Sequence, residues 1–403
     1  MIMADLDAAL DAAGWSALRD RFAQSWPITV ADPAFLTPAA VEAAGRRVGL
    51  SAAHLTQLAA GLALFAERPA LRALAANLRR LLAEGTMPPG WPMITRETHR
   101  HGPLFWAYLV LACVDERIAR NRERGLDEAT TMAGFRDLGR WLDEYQRAQG
   151  HPGFDRVGWL EGTVRGTLIE LGRLQCNCAS WHGAVRVFRH RRDRRVQLLM
   201  TGRHDLRADG WHQGIAGLAQ DPAGWTTSFS EGPEGWRGSP VDARGRAQRA
   251  EVLLPADDWE AALAPGDPVW YVHIPASGPL LPEACRDSLL AHRAKLPLWF
   301  PGHQGKAFIS VSWMFDAQLA DHLPADANLV RFLRAFHLHP HRDVTGDQIK
   351  ERVLGRSGID WRTCTPTSSL QRAVLAHYRA GGTWAQSGAV LFPDEIETAF
   401  ATA

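Results

Sequence analysis

The chain has 403 residues, room for two or three domains of the usual ~100–200 residues, and its 46% hydrophobic and 22% charged content is that of an ordinary globular protein. Forty-five basic residues against 44 acidic ones leave a formal net charge of +1, which excludes charge-driven binding to nucleic acid or to an anionic membrane as its main role. Five cysteines at no regular spacing exclude a disulfide scaffold, so the expected compartment is the reducing cytoplasm.

The opening segment MIMADLDAALDAAG carries acids early and no long apolar run, so no secretory leader is expected. Ala, Leu and Arg then dominate to about residue 174, a helical composition. Thr37 followed by Pro38 reads as an N-cap with proline at the first helical position, and Ser51 opens another helix. Residues 55–82 carry a long amphipathic pattern, expected as two helices broken at Pro69. MPPGWP at 87–92 is a stiff turn. Residues 104–124 predict a helix that is apolar all round in its first half and therefore buried. Its apolar run, 104–114, falls short of the ~20 residues a membrane helix needs. Helices over 127–149 and 159–175 complete this half, and His99 and His101 read as solvated loop residues.

The pattern changes near Cys176, which one residue separates from Cys178, not the two of common zinc or redox motifs. Residues 184–188 and 195–199 alternate in period two, and the charged residues 189–194 between them read as the exposed tip of a hairpin. A stretch rich in Gly, Pro and Trp follows over 208–267, with strands near 225–230 and 250–254. Further strands are expected at 268–274, 307–314, 336–339 and 389–392, with helices at 328–335 and 369–380. The order predicts an α+β protein: a helical N-terminal domain over residues 1–167, then a mixed α/β domain over 168–403.

The most informative stretch is VWYVHIPASGPLLPEACRDSL at 269–289. Trp270, Tyr271, Val272 and Ile274 are β-formers, and Ala276, Ser277 and Gly278 let a ligand approach the backbone. Pro282 and Glu283 suit a first helical turn. A strand feeding a helix through small residues aims N–H groups at one spot, a cradle for phosphate or pyrophosphate. His273 stands one step before it. The competing reading is an ordinary strand-to-helix connection with a buried histidine.

The C-terminal half resembles a GNAT-like acyltransferase family that carries a helical N-terminal domain. The resemblance rests on an ordered set of segments: LGRLQ at 171–175, PVDARG at 240–245, PGD at 265–267, VHIPASGPL at 272–280, SWMFD at 312–316, LP at 323–324, NLVRF at 328–332, TSSLQR at 367–372 and AGG at 380–382. It implies a sheet whose central strands splay apart to admit the pantetheine arm of acyl-coenzyme A, the co-substrate, and transfer of the acyl group to an amine. It places the donor's pyrophosphate on the loop after the fourth strand, here Ile274, Ala276, Ser277, Gly278 and Leu280. That loop has one glycine where the wider superfamily has two, or a glycine and an alanine.

An amine must lose a proton as it attacks a thioester, and a histidine is the natural base. In such folds the base often projects from the fourth strand, which selects His273. Ser312 and Asp316, on and after the next strand, are the further candidates for holding the acceptor; a structural role is the alternative for each. Cys285 has no evident base beside it. His337, His339 and His341 share a strand face, but the resemblance implies no metal. The expected partners are an acyl-coenzyme A donor and an amine on a peptide, amino sugar or small metabolite. The alternative is a binding module on a degenerate GNAT fold, without catalysis.

Overall fold

Thr37 stands in extended backbone and its hydroxyl accepts the Ala40 N–H at 3.3 Å, so the helix Pro38–Arg47 starts at the expected cap. Ser51 does the same for His54 N–H, at 3.2 Å, and opens Ala52–Gly61. The computed structural model describes residues 2–3, 5–26, 29–30, 33–86, 90–355 and 358–402. The chain divides into two units, Met1–Leu171 and Gly172–Ala403. Met87, Pro88 and Pro89 of the expected turn lie outside the described residues.

The first unit is built of helices, and several stretches that read as single helices are broken. The 55–82 pattern spans Ala52–Gly61, Ala63–Glu67 and Ala70–Glu84, with a break at Leu62 as well as at Pro69. The 104–124 pattern divides at Cys113 into Phe105–Ala112 and Val114–Glu123, and the 127–149 pattern at Arg136 into Glu128–Phe135 and Asp137–Gln149. Leu62, Cys113 and Arg136 all keep right-handed helical dihedrals. Because the dihedrals stay helical at these breaks, composition carries little sign of them. Phe105–Ala112 is the buried helix expected, with Phe105, Trp106, Tyr108 and Leu109 in the core. His99 is not solvated: its side chain is 8% exposed and Nε2 lies 3.0 Å from Glu67 Oε2.

The expected helix over 159–175 stops early. Val157–Arg165 ends where Gly166 takes a left-handed φ of 66°, and the chain becomes extended in β1 (Leu168–Leu171). The second unit then begins with β2 (Leu174–Ser180), so LQCNCAS is a strand.

Two sheets carry the second unit. One contains β3 (Val185–His190), β4 (Val196–Met200), β5 (Pro240–Val241) and β6 (Trp259–Leu263), in the order β5-β4-β3-β6. The other contains β7 (Pro268–His273), β8 (Phe308–Ser312), β9 (His337–Pro340) and β10 (Ser387–Leu391), and within this unit runs β9-β10-β8-β7-β2. Val185, Val187 and Leu198 of the first share a core with Val269, Ile309 and Val390 of the second. Alternation along β7 therefore turns Val269, Tyr271 and His273 toward that core and Trp270 and Val272 away from it. The helix Pro282–Trp299 packs against β2.

The hairpin tip is shorter than expected. Arg189 is the fifth residue of β3, 4% exposed, ion-paired to Asp394 and Glu395 at 2.8 and 2.9 Å and stacked over Phe392. Arg191 and Arg194 of the true turn pair with Glu260.

Burial makes the second unit acid-sensitive. His212, His273 and His339 are each pushed down to about 4, chiefly by loss of water. The unfolded chain takes up these protons first, near the ordinary 6.5, so the stability these groups contribute is complete above that pH. It is lost as the pH falls toward 4, by about 1.4 kcal/mol per pH unit for each histidine. Urea midpoints measured between pH 7 and pH 5 are expected to fall on the acid side; a flat profile would contradict this account.

Candidate active site

The site is set by where two neighbouring strands stop pairing. β7 pairs with β2 over its whole length, from Pro268↔Ser180 to His273↔Gln175, and β8 pairs with β10 from Phe308↔Leu391 to Ser312↔Ser387. Between β7 and β8 the parallel ladder holds only Trp270↔Phe308 and Tyr271↔Ile309. Beyond those pairs the connections are made by side chains. Ser310 Oγ donates to Val272 O at 2.9 Å, and Val311 N–H donates to the Tyr271 hydroxyl oxygen at 3.1 Å. The two strands thus part while each remains anchored on its outer side.

His273 lies two residues past the last pair between β7 and β8, half-buried as the last residue of β7. Asn177, across the ladder on β2, commits its Nδ2 to Cys178 O at 2.8 Å, so its Oδ1 faces the imidazole. His273 Nε2 donates to that oxygen at 2.7 Å. The proton is then held on Nε2 and the lone pair lies on Nδ1. The Tyr271 ring packs 4.8 Å from the imidazole, centroid to centroid. Burial holds the pKa at about 4, so the ring is neutral above that pH.

The loop after β7 is shaped by Arg173, which sequence reasoning passed over. Its guanidinium donates to Pro275 O at 2.9 Å, Gly278 O at 2.7 Å and Pro279 O at 3.0 Å, and reaches Ser277 Oγ at 3.4 Å. A trans peptide sets N–H opposite C=O. With the 275 and 279 carbonyls drawn onto Arg173, the N–H groups of Ala276 and Leu280 point the other way. Among the described residues no protein acceptor takes the N–H of Ala276, Ser277, Gly278 or Leu280. Gly278 has a φ of 141°, in the region that favours glycine. Ile274 is half-buried, Ala276, Ser277 and Gly278 are exposed, and Leu280 is buried. The helix that follows begins at Pro282, and its N-cap Leu281 supplies no capping side chain. The loop thus carries N–H donors without a protein acceptor among the described residues, and the helix start after it adds a positive dipole end.

The other candidates stand apart from this arrangement. Ser312 caps the short turn Trp313–Phe315, its hydroxyl accepting Met314 N–H at 3.2 Å. The Asp316 carboxylate is 1% exposed and accepts the backbone N–H of Gln318 and of Ala385, each at 3.0 Å. Burial raises its pKa, against the lowering effect of those amides. Cys285 is fully buried and its thiol is pushed up to about 12 by desolvation, a protonated group and not a nucleophile. His337 pairs with Glu395 at 3.1 Å, and His339 lies buried with Nδ1 3.0 Å from Pro340 O. Among the described residues no group of three His, Cys, Asp or Glu side chains is placed to hold a metal.

Two signals could have found the missed residues. Arg173 is the one charged residue in the segment LGRLQ. Asn177 is a poor strand former placed between two cysteines of a strand.

Comparison with known proteins identifies the family. The family model described as GNAT-like C-terminal domain matches residues 168–391, and the one described as N-acyltransferase N-terminal domain matches residues 40–166. The chain belongs to this GNAT-like acyltransferase family. No curated protein matches it. Solved structures with the same fold include a mutant acyltransferase in complex with octanoyl-CoA, at 20% identity and a TM-score of 0.68. An acyltransferase in complex with decanoyl-CoA and teicoplanin shares 21% identity at a TM-score of 0.67, and one in complex with decanoyl-CoA shares 22% at 0.66. In each comparison the match covers 96% of this chain and 99% of the other. Among the described residues of this GNAT-like protein, no helix is long and apolar enough to cross a membrane.

Proposed function

We propose that the protein is an acyl-coenzyme A-dependent N-acyltransferase, with the chemistry carried by residues 168–403. The observation that carries this reading is the parting of β7 and β8 after Tyr271, with His273 two residues further on and an Arg173-braced loop of outward N–H groups beside it. Ala276 and Leu280 N–H, with the uncapped start of Pro282–Trp299, fit a pyrophosphate. The opening between the strands fits an extended pantetheine arm. Family membership supports the same donor, and so do solved relatives that hold acyl-CoA. The acceptor we propose is an amine on a peptide-like molecule, as in the relative solved with teicoplanin.

The reaction forms a C–N bond and breaks a C–S bond. His273 takes the proton lost by the amine on Nδ1, while Asn177 holds the proton on Nε2. The resulting imidazolium, with a pKa of about 4, is far more acidic than a thiol and returns the proton to the departing thiolate. No covalent intermediate on the protein is needed, because holding donor and acceptor together supplies much of the rate. Ser312 and Asp316 shape the chain after β8, and in this reading they position the acceptor's surroundings and transfer no proton.

The direct test supplies decanoyl-CoA and a peptide amine and measures free thiol. Release that depends on the amine is the expected result. Tight coenzyme A binding with no release would favour the binding-module reading, which the single glycine of the loop supports. Arg173→Ala is expected to raise the KM for acyl-CoA by about tenfold, with kcat changed by less than threefold, since the loop acts in binding. Arg173→Lys is expected not to rescue it, because one ammonium cannot serve four acceptors in fixed directions. Equal losses in kcat and kcat/KM would place Arg173 in the chemistry instead.

A further inference from the structure

The helical unit contains a cationic cavity that the acyl-transfer reading does not use. It has a volume of about 510 Å³ and is walled by Arg117, Arg120, Arg124 and Arg165, with Glu84 and Glu123 at its edge. Two of the arginines are fixed in place. Arg117 Nε donates to Val164 O at 2.7 Å and Nη1 reaches Asn121 Oδ1 at 3.4 Å, while Arg124 Nη1 donates to Gly166 O at 2.8 Å. Glycine suits position 166, where φ is 66° and a Cβ would crowd Arg117 Nη1 and Asn121 Oδ1.

Arg117 carries the argument. It is 4% exposed, its Nη2 takes no protein acceptor, and among the described residues it makes no ion pair. A buried guanidinium without a counter-charge is costly, and buried charges are ordinarily paired. Its neighbours add to that cost: burial first, then the like charges of Arg120 and Arg124, push its pKa down to about 10. The carboxylates nearby do not answer it. Glu84 pairs with Arg80 at 2.8 Å, Glu116 with Arg120 at 2.5 Å and Glu161 with Arg165 at 3.4 Å, and Glu123 lies exposed on the rim. The lining holds four arginines and two glutamates, and among the described residues no carboxylate pairs with Arg117.

We propose that this cavity is a binding site for an oxyanion group, a phosphate or a carboxylate, borne by a small ligand and seated against Arg117. Guanidinium forks match both groups, and the volume exceeds what a bare ion fills. The site stands on residues of the helical unit alone, so the proposal is independent of the acyl-transfer reading.

The test measures melting of the full-length protein with inorganic phosphate or with citrate against sodium chloride of equal ionic strength. At about tenfold excess over Kd, the favoured anion is expected to raise Tm by about 2–4 °C beyond the chloride control. A larger rise with phosphate assigns the site to a phosphorylated ligand, and one with citrate to a carboxylate. The variant Arg120→Ala/Arg165→Ala removes two exposed side chains and is expected to fold normally and lose more than half of the rise. Arg173→Ala, at the separate loop, is expected to keep it. The proposal is overturned if neither anion exceeds chloride, if the rise survives in the double variant, or if Arg173→Ala abolishes it.

Discussion

Replacing His273 with glutamine is expected to lower kcat by about 10²–10⁴-fold while leaving coenzyme A affinity within about twofold. Glutamine can still donate an amide N–H toward Asn177 Oδ1, so the local hydrogen bond survives and only the basic nitrogen is lost. The wild-type enzyme should show its acid limb in kcat/KM near pH 4, because the imidazole must be neutral to act and burial has moved its titration down from 6.5. That limb should vanish in the variant. Asn177→Leu is the companion: with no acceptor for Nε2–H, the tautomer is no longer selected, and a loss of about tenfold is expected. A His273→Gln protein that folds and turns over within threefold of wild type would remove the histidine from the chemistry and leave it a core residue of β7.

Much of this arrangement was legible in the sequence. The strand–turn–helix at 269–289 is there as β7, an Arg173-clasped loop and the helix Pro282–Trp299. The caps Thr37 and Ser51 were readable because capping is decided by the residue itself. What stayed hidden depends on partners far away in the chain. The parting of β7 from β8 is a pairing defect, invisible in either strand alone, since both read as ordinary β-formers. Arg173 reaches carbonyls about a hundred residues later, and backbone carbonyls leave no trace in a sequence. Residues 174 and 175 read as the end of a helix because Leu and Gln are helix formers; pairing of β2 with β7 overrides that preference. Arg189 reads as one more charge in a charged turn, and only Asp394 and Glu395, at the far end of the chain, make it a buried strand residue.

Asp316→Ala is expected to be the most damaging substitution for stability, by about 3–5 kcal/mol, with little effect on the rate per folded molecule. The carboxylate holds two distant stretches together. It accepts Gln318 N–H and Ala385 N–H at 3.0 Å each, and the Gln318 side chain, which also donates to Thr383 O at 3.0 Å. Deleting it leaves buried donors without partners and a void where the carboxylate was. Asp316→Asn separates charge from shape. The folded pKa lies above the usual 3.8, so the folded state binds this proton more readily than the unfolded chain. That contribution is complete below 3.8 and is lost as the pH rises through the folded value, the opposite sense to the buried histidines. Asparagine removes the burial cost of the charge at neutral pH but turns one acceptor into a donor facing an N–H. Its Tm should therefore fall between wild type and alanine. Urea midpoints and the rate per folded molecule decide the matter together. Should the asparagine variant keep its midpoint yet lose a hundredfold or more in kcat, Asp316 handles the acceptor or its proton, and the bracing of residues 383–385 is incidental.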